Sequence, residues 1–324
     1  MQVFLDSDID PAPIRARRVA VLGYGNQGRA QALNLRDSGV AVTVAAREGP
    51  GAERARADGF DVQAPATAAA SADLVALLAP DETHGRIYAD VLEPHLRPGA
   101  ALVFAHGLSI RFGLIVPRPD LDILLVSPKG PGTALRSSYQ AGRGLVSLFS
   151  VHQDASGQAK ALALSYAGAI GSGRVGILPT SFAEECEADL FNEAAVLWGT
   201  IPELILAGYE TLVDAGYSPE IAYFECLTEV KLLADLLVAR GIAGMREAIS
   251  NTAEFGALTG GSRIVTAETR AEMRRILAEV REGRLAADLL ADAEAGYPRL
   301  RASRAAAAEH PIEAVGARLR SLAR

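Results

Sequence analysis

Short apolar runs separated by polar, glycine-bearing breaks fill the first half of the chain. They lie at residues 18–23, Val40–Ala46, Asp73–Leu78, Ala101–Phe104 and Leu121–Val126. Each is too short for a globular helix, and the runs are near-continuous rather than alternating. That pattern predicts strands covered on both faces, as in a parallel sheet whose crossover helices flank it. A helical stretch leads from Gly28 through Leu35 between the first two runs. After about Thr180 the strand signal ends and long helical segments take over, with no internal repeat and no low-complexity linker. The expected fold is α/β: an N-terminal Rossmann-type doubly wound parallel sheet over 1–181, followed by an all-α domain over 182–324.

The first apolar run breaks into Gly23-Tyr24-Gly25-Asn26-Gln27-Gly28, a G-x-G-x-x-G sequence after a strand and before a helix. In that context glycines permit a tight turn and let a pyrophosphate approach a helix N-terminus, which predicts a dinucleotide site. The second run ends at Arg47 rather than at an acid; an arginine there favours the extra phosphate of NADP, although the following Glu48-Gly49-Pro50-Gly51-Ala52 offers few hydroxyl donors. NADP(H) is the expected cofactor, with NAD(H) left open. The loops Pro80-Asp81-Glu82-Thr83-His84, Ala105-His106-Gly107 and Ser127-Pro128-Lys129-Gly130-Pro131-Gly132 follow later runs. Ligands of open α/β sheets bind at the carboxyl ends of strands, which makes His106 and Lys129 candidate site residues.

In the helical half two acidic pairs stand out, Asp189 with Glu193 and Glu225 with Glu229, each spaced i, i+4 in an apolar segment. Such a pair projects two oxygen ligands from one helix face. Together the pairs are candidates to cradle two hard divalent cations, magnesium or manganese, able to polarise an oxygen-rich substrate. The simpler alternative is two solvated acidic faces.

Composition narrows the classes. The chain has 324 residues, is 49% hydrophobic and carries a formal net charge of −7, which suits two domains with sizeable cores. Basic residues are dispersed among acids, so no nucleic-acid partner is expected. The N-terminus lacks a signal-peptide layout, and no apolar run is read as approaching a membrane span, so the expectation is a cytoplasmic protein with no membrane partner. Cys186 and Cys226 each adjoin an acid in a predicted helix and are expected reduced. Among 32 basic residues only Lys129, Lys160 and Lys231 are lysine, which draws attention to Lys129 between proline and glycine.

Gly23-Tyr24-Gly25-x-Gln27-Gly28, Phe104-Ala105-His106-Gly107, Pro128-Lys129-Gly130-Pro131-Gly132, Glu187-x-Asp189-Leu190-Phe191-x-Glu193 and Tyr223-Phe224-Glu225-Cys226 together resemble the ketol-acid reductoisomerase family in its short (class I) form. The resemblance runs from Val3 to His310-Pro311-Ile312-Glu313. It implies a magnesium-dependent alkyl migration of a 2-acetolactate-type substrate, then NADPH reduction to a 2,3-dihydroxy acid, in valine and isoleucine biosynthesis. It further implies that Asp189 bridges two magnesium ions, that Glu193 completes one site, and that Glu225 and Glu229 serve the other. Glu229 also takes part in proton movement, Lys129 orients the metal-water network, His106 sits near the nicotinamide, and Ser250 binds the substrate carboxylate. Gly23, Tyr24, Gly25, Asn26, Gln27, Gly28, Arg47, Asp81, Glu82, Thr83, His84 and Gly132 match cofactor positions. Family members interlock as homodimers or higher oligomers, with each site built from both chains.

The sequence departs from the family pattern near the site, at Asn26, Arg29, His84, Ser109, Arg111, Asn192, Ala194, Trp198, Thr200, Thr228 and Asn251. Pro50 and Ala52 replace hydroxyl residues of the cofactor loop. Two other readings therefore stand beside the first: a divergent member acting on a different 2-keto or 2-hydroxy acid in specialised metabolism, and a catalytically silent dinucleotide-binding oligomer.

Overall fold

The structure, a computed structural model, describes residues 1–322. The chain divides into two compact units, Met1–Cys186 and Glu187–Arg324.

The first unit is built on an eight-stranded sheet in the order β3-β2-β1-β4-β5-β6-β7-β8. The strands are β1 (Arg18–Leu22), β2 (Ala41–Ala45), β3 (Val62–Gln63), β4 (Leu74–Leu77), β5 (Ala101–Phe104), β6 (Asp122–Pro128), β7 (Ser147–Gln153) and β8 (Ile177–Pro179). Neighbours from β3 to β6 pair parallel, β7 runs antiparallel to β6, and β8 is parallel to β7. The five expected strands are present. The sequence reading had no β3, β7 or β8: β3 is a two-residue strand, and β7 carries serines and a histidine among its apolar positions.

The sheet's faces alternate residue by residue. Val19, Val21, Leu74, Ala76, Val103, Leu124 and Val126 enter one core, while Ala20, Leu22, Val75, Leu77, Leu102, Phe104, Ile123 and Leu125 enter the other. Every residue of β4, β5 and β6 is buried, which is why these strands read as unbroken apolar runs. Each large aliphatic side chain so buried contributes roughly 1.5–3 kcal/mol. The strand order reverses at β1, which has β2 on one side and β4 on the other. Such a reversal opens a crevice at the carboxyl ends of the strands.

The second unit is helical, with no strand among its described residues. Its small core joins Tyr209, Ala222, Tyr223, Ile312 and Val315. Helices Val230–Glu247 and Asn251–Ile264 bury no residue at all, although they carry Leu232, Val238, Ile242, Phe255, Leu258 and Ile264. The helical stretch Phe182–Asp214 is long and apolar enough to cross a membrane by length and composition, with a mean hydropathy of 1.2 in its best window, contrary to the sequence reading of no such run. Only 11% of that window is buried.

Candidate active site

The glycine-rich turn after β1 is shaped by what a side chain would strike. A Cβ on Gly28 would lie 2.0 Å from the Gly23 carbonyl oxygen, and Gly23, at φ 101°, sits against the backbone of Leu78 and Ala79. Gly25 differs, since a Cβ there meets nothing within 4 Å. It precedes helix α1 (Asn26–Asp37), and no side chain caps the helix's first amides. Open space before uncapped amides is the geometry an anionic pyrophosphate fits.

The Asn26 and Gln27 side chains are spent on a second loop rather than on open solvent. Asn26 Oδ1 accepts from the Thr133 amide (3.1 Å), and Gln27 Nε2 donates to the Gly130 carbonyl (2.9 Å). Gly132 packs so tightly here that a Cβ would stand 2.1 Å from the Asn26 carbonyl oxygen. The structure thus joins two glycine-rich motifs more than a hundred residues apart in sequence.

Tyr24 is buried, and its hydroxyl donates to Asp58 Oδ2 (2.8 Å), which also accepts from Arg29 (2.6 Å). Burial, aided by the Asp58 hydrogen bond, pushes the Tyr24 phenol well above its ordinary range. His84 is also buried. Its Nε2 lies 2.9 Å from the Ala79 carbonyl, which can only accept, so the proton sits there, and Nδ1 then accepts from Ser109 Oγ (2.8 Å). Desolvation holds its pKa below 6.5 despite the nearby Asp81. Both side chains are held in the interior of the unit. Asp81, Glu82 and Thr83 form one short turn, in which Thr83 Oγ1 donates to the Pro80 carbonyl (2.6 Å). At the end of β2 Arg47 is exposed, and Glu48 takes both nitrogens of Arg56 (2.5 and 2.9 Å).

The strongest polar cluster lies beyond β5 and β6. Lys129 Nζ reaches Glu185 Oε1 (2.9 Å), Ser127 Oγ donates to the same oxygen (2.7 Å), and the Gly107 amide donates to Oε2 (2.8 Å). The Glu185 side chain is fully buried, whereas Lys129 remains 32% exposed. A buried carboxylate is stable only with such partners, and here three donors converge on it. Gly107 has no alternative, since its Cβ would come 2.3 Å from the Phe182 carbonyl. In the adjoining turn the Leu108 amide donates to His106 Nδ1 (3.2 Å), which places the neutral ring's proton on Nε2. Glu185 was not among the sequence candidates. Its one signal was position, since it precedes Asp189 by the same i, i+4 step that links Asp189 to Glu193.

Each expected metal-binding pair coincides with a π turn. Helix Phe182–Asn192 gives way to the π turn Glu193–Leu197, and helix Pro219–Tyr223 to the π turn Phe224–Thr228. The Trp198 and Gly199 amides both donate to the Glu193 carbonyl (3.2 and 2.9 Å), and the Glu229 amide to that of Phe224 (3.2 Å). Single π turns concentrate at functional sites because they re-aim side chains within a helix. The four carboxylates are an all-oxygen donor set, which fits magnesium or manganese. Within one chain, among the described residues, no three of the four gather within 4.8 Å. Ser250 caps helix Asn251–Ile264, its hydroxyl accepting from the Ala253 amide (3.2 Å). Cys186 and Cys226 are both free thiols.

A doubly wound sheet with a glycine-rich turn at its switch point, joined to a helical unit rich in carboxylates, defines a nicotinamide-dependent oxidoreductase of the Rossmann class. Residues 13–176 match the family model described as "Acetohydroxy acid isomeroreductase, NADPH-binding domain", and residues 182–324 match "Ketol-acid reductoisomerase, C-terminal domain". The chain belongs to the ketol-acid reductoisomerase family, whose members are oxidoreductases and isomerases of branched-chain amino acid biosynthesis. A solved structure described as an NADH-preferring ketol-acid reductoisomerase from an uncultured archaeon is 42% identical, covers 99% of both chains and superposes with a TM-score of 0.96. A semialdehyde dehydrogenase NAD-binding protein from Cupriavidus necator (19% identity, 82% of this chain and 99% of that one, TM-score 0.64) shares the fold. So does a pyrroline carboxylate reductase from Plasmodium falciparum (13% identity, 83% and 98%, TM-score 0.52).

Proposed function

We propose that the chain isomerises a 2-acetolactate-type substrate with magnesium and reduces the product to a 2,3-dihydroxy-3-methyl acid. The observation that carries this reading is the Lys129, Ser127 and Gly107 cluster on buried Glu185, at the carboxyl ends of β5 and β6. Bound cations would supply Lewis acidity toward the substrate's hydroxyl and carbonyl oxygens, and the nicotinamide would supply a hydride. Asp189, Glu193, Glu225 and Glu229 would hold the ions, and Ser250 the substrate carboxylate. Migration moves a proton from the substrate hydroxyl to the neighbouring oxygen, and we assign that transfer to Glu229. Glu185 pairs with Lys129 and orients it, so that its ammonium steadies oxygens that gain charge.

For the cofactor, the loop after β2 supports NADH over the NADPH expected from Arg47. No serine, threonine or tyrosine occurs between Ala46 and Asp58. Ala52 is buried, and Arg56 is neutralised by Glu48. A 2′-phosphate would therefore find no hydroxyl donor along this loop and, next to Arg47, the carboxylate of Glu48, while a ribose diol suits an acid there. The NADH preference of the archaeal relative agrees.

We further propose a homodimer at least, in the cytoplasm. Two apolar helices without a buried residue, and four carboxylates of which no three gather within 4.8 Å in one chain, support a second copy that covers the first and completes its site. The same partner would cover the apolar stretch Phe182–Asp214.

The test is purified protein with magnesium, racemic 2-acetolactate and either NADH or NADPH, followed by nicotinamide absorbance. Magnesium-dependent oxidation, faster with NADH and lost in Glu229→Gln, is expected. Binding of the dinucleotide without turnover of acetolactate would refute the reaction and direct attention to other keto acids.

A further inference from the structure

Helix α1 turns a row of polar side chains toward the interior of its unit. Gln27, Gln31 and Asn34 recur at i, i+4 and i+7, one face of a helix, and Gln31 and Asn34 are wholly buried. Burying amides is costly unless they are hydrogen-bonded, and these are. The Tyr166 hydroxyl, itself buried in helix Ala159–Ala169, donates to Gln31 Oε1 (2.8 Å). Gln31 Nε2 donates to Gln27 Oε1 (3.2 Å), and Gln27 Nε2 to the Gly130 carbonyl (2.9 Å). The Gly130 carbonyl can only accept, which fixes the direction of every bond in the row. Burial pushes the Tyr166 phenol far above its ordinary range, so it keeps its proton near neutral pH. Asn34 adds a second tie, donating to the Ile170 carbonyl (3.0 Å) and accepting from Arg136 (2.8 Å) of helix Gly132–Gln140.

The row ends on the loop that bears Lys129. Gly130 directly follows that lysine, and Thr133 returns its amide to Asn26 Oδ1 (3.1 Å). The dinucleotide turn and the lysine loop are thus fastened together at the N-terminus of α1, and the row anchors the junction in the core. A satisfied buried network specifies one arrangement where an apolar contact tolerates several. We propose that Tyr166 and Gln31 are positioning residues: through Gln27 they hold the Lys129 loop at a fixed distance from the dinucleotide turn, so that the ammonium meets the substrate where the hydride arrives. Their role in turnover rests on the reading that Lys129 acts on the substrate, whereas their hold on the loop does not.

The test is hydrogen exchange, read by mass spectrometry on the full-length protein without dinucleotide, in wild type, Tyr166→Phe, Gln31→Met and Leu35→Ala. Leu35 is fully buried on the same helix but outside the row, so its truncation controls for lost stability alone. Exchange in the segment from Lys129 to Gln140 should quicken about 5- to 10-fold in the first two variants and stay at the wild-type rate in the third. Unchanged exchange in both row variants overturns the proposal, and so does an equal rise in Leu35→Ala. In the assay with magnesium, 2-acetolactate and NADH, kcat of the row variants should fall about 10-fold or more while KM for NADH, set by the glycine turn, holds. Faster loop exchange at unchanged kcat, or a rise in KM for NADH alone, overturns the role in turnover. Because exchange is read without substrate, a wild type that fails to turn over acetolactate would refute the reductoisomerase reading separately.

Discussion

At the scale of single residues, Glu185 is the side chain on which most depends. Its carboxylate is fully buried and holds Lys129, Ser127 and the Gly107 amide at once. In Glu185→Gln the charge that matches Lys129 disappears, and one amide nitrogen must face a donor. Unfolding free energy should fall by about 2 kcal/mol in urea titrations, and kcat/KM by about 100-fold. Lys129 was legible as a rare lysine between proline and glycine. Glu185 was not, because three glutamates crowd positions 184 to 187 and only the helix's rotation decides which is buried. The resemblance matched His84 to a cofactor position, and in the structure its ring is buried. Its pKa is lowered by burial, so the unfolded chain takes up the proton first as pH falls. Stability from the neutral ring is full above about pH 6.5 and declines as pH drops toward the lowered folded value. His84→Gln should flatten that decline in thermal melts between pH 7 and 5.

Among the elements, the legible strands were those that form near-continuous apolar runs. β1, β4, β5 and β6 announce themselves as apolar runs, while β7 hides its role behind Ser147, whose hydroxyl pairs with that of Ser172 (2.6 Å), and Ser150. The π turns left no mark in the sequence. An i, i+4 acidic spacing suits an ordinary helix, and the extra residue shows only in the Glu193 and Phe224 carbonyl bonds. The glycine-rich turn was the clearest element, and its close contacts make it brittle. Gly28→Ala places a methyl against the Gly23 carbonyl and must open the turn. Overpacking of this kind costs ~1–3 kcal/mol. A drop in melting temperature together with weaker NADH binding by fluorescence titration is the expected outcome.

On the scale of the whole molecule, the sequence motifs carried the family and implied an oligomer, while the structure adds how much apolar helix surface one chain leaves exposed. Helices Val230–Glu247 and Asn251–Ile264 leave Val238 90% and Phe255 67% exposed. Among the described residues, no three of the four metal-candidate carboxylates gather within 4.8 Å in one chain. That separation has a genetic consequence. If each site takes one pair from each chain, an Asp189→Asn chain and a Glu229→Gln chain are both dead alone but carry complementary lesions. Unfolded together and refolded, they should pair at random, and each mixed dimer would hold one site with both defects and one with neither. Activity should return to ~25% of wild type in a C2 dimer. Two inactive alleles expressed in one cell would then complement each other, whereas no recovery would mean that every site is the work of a single chain.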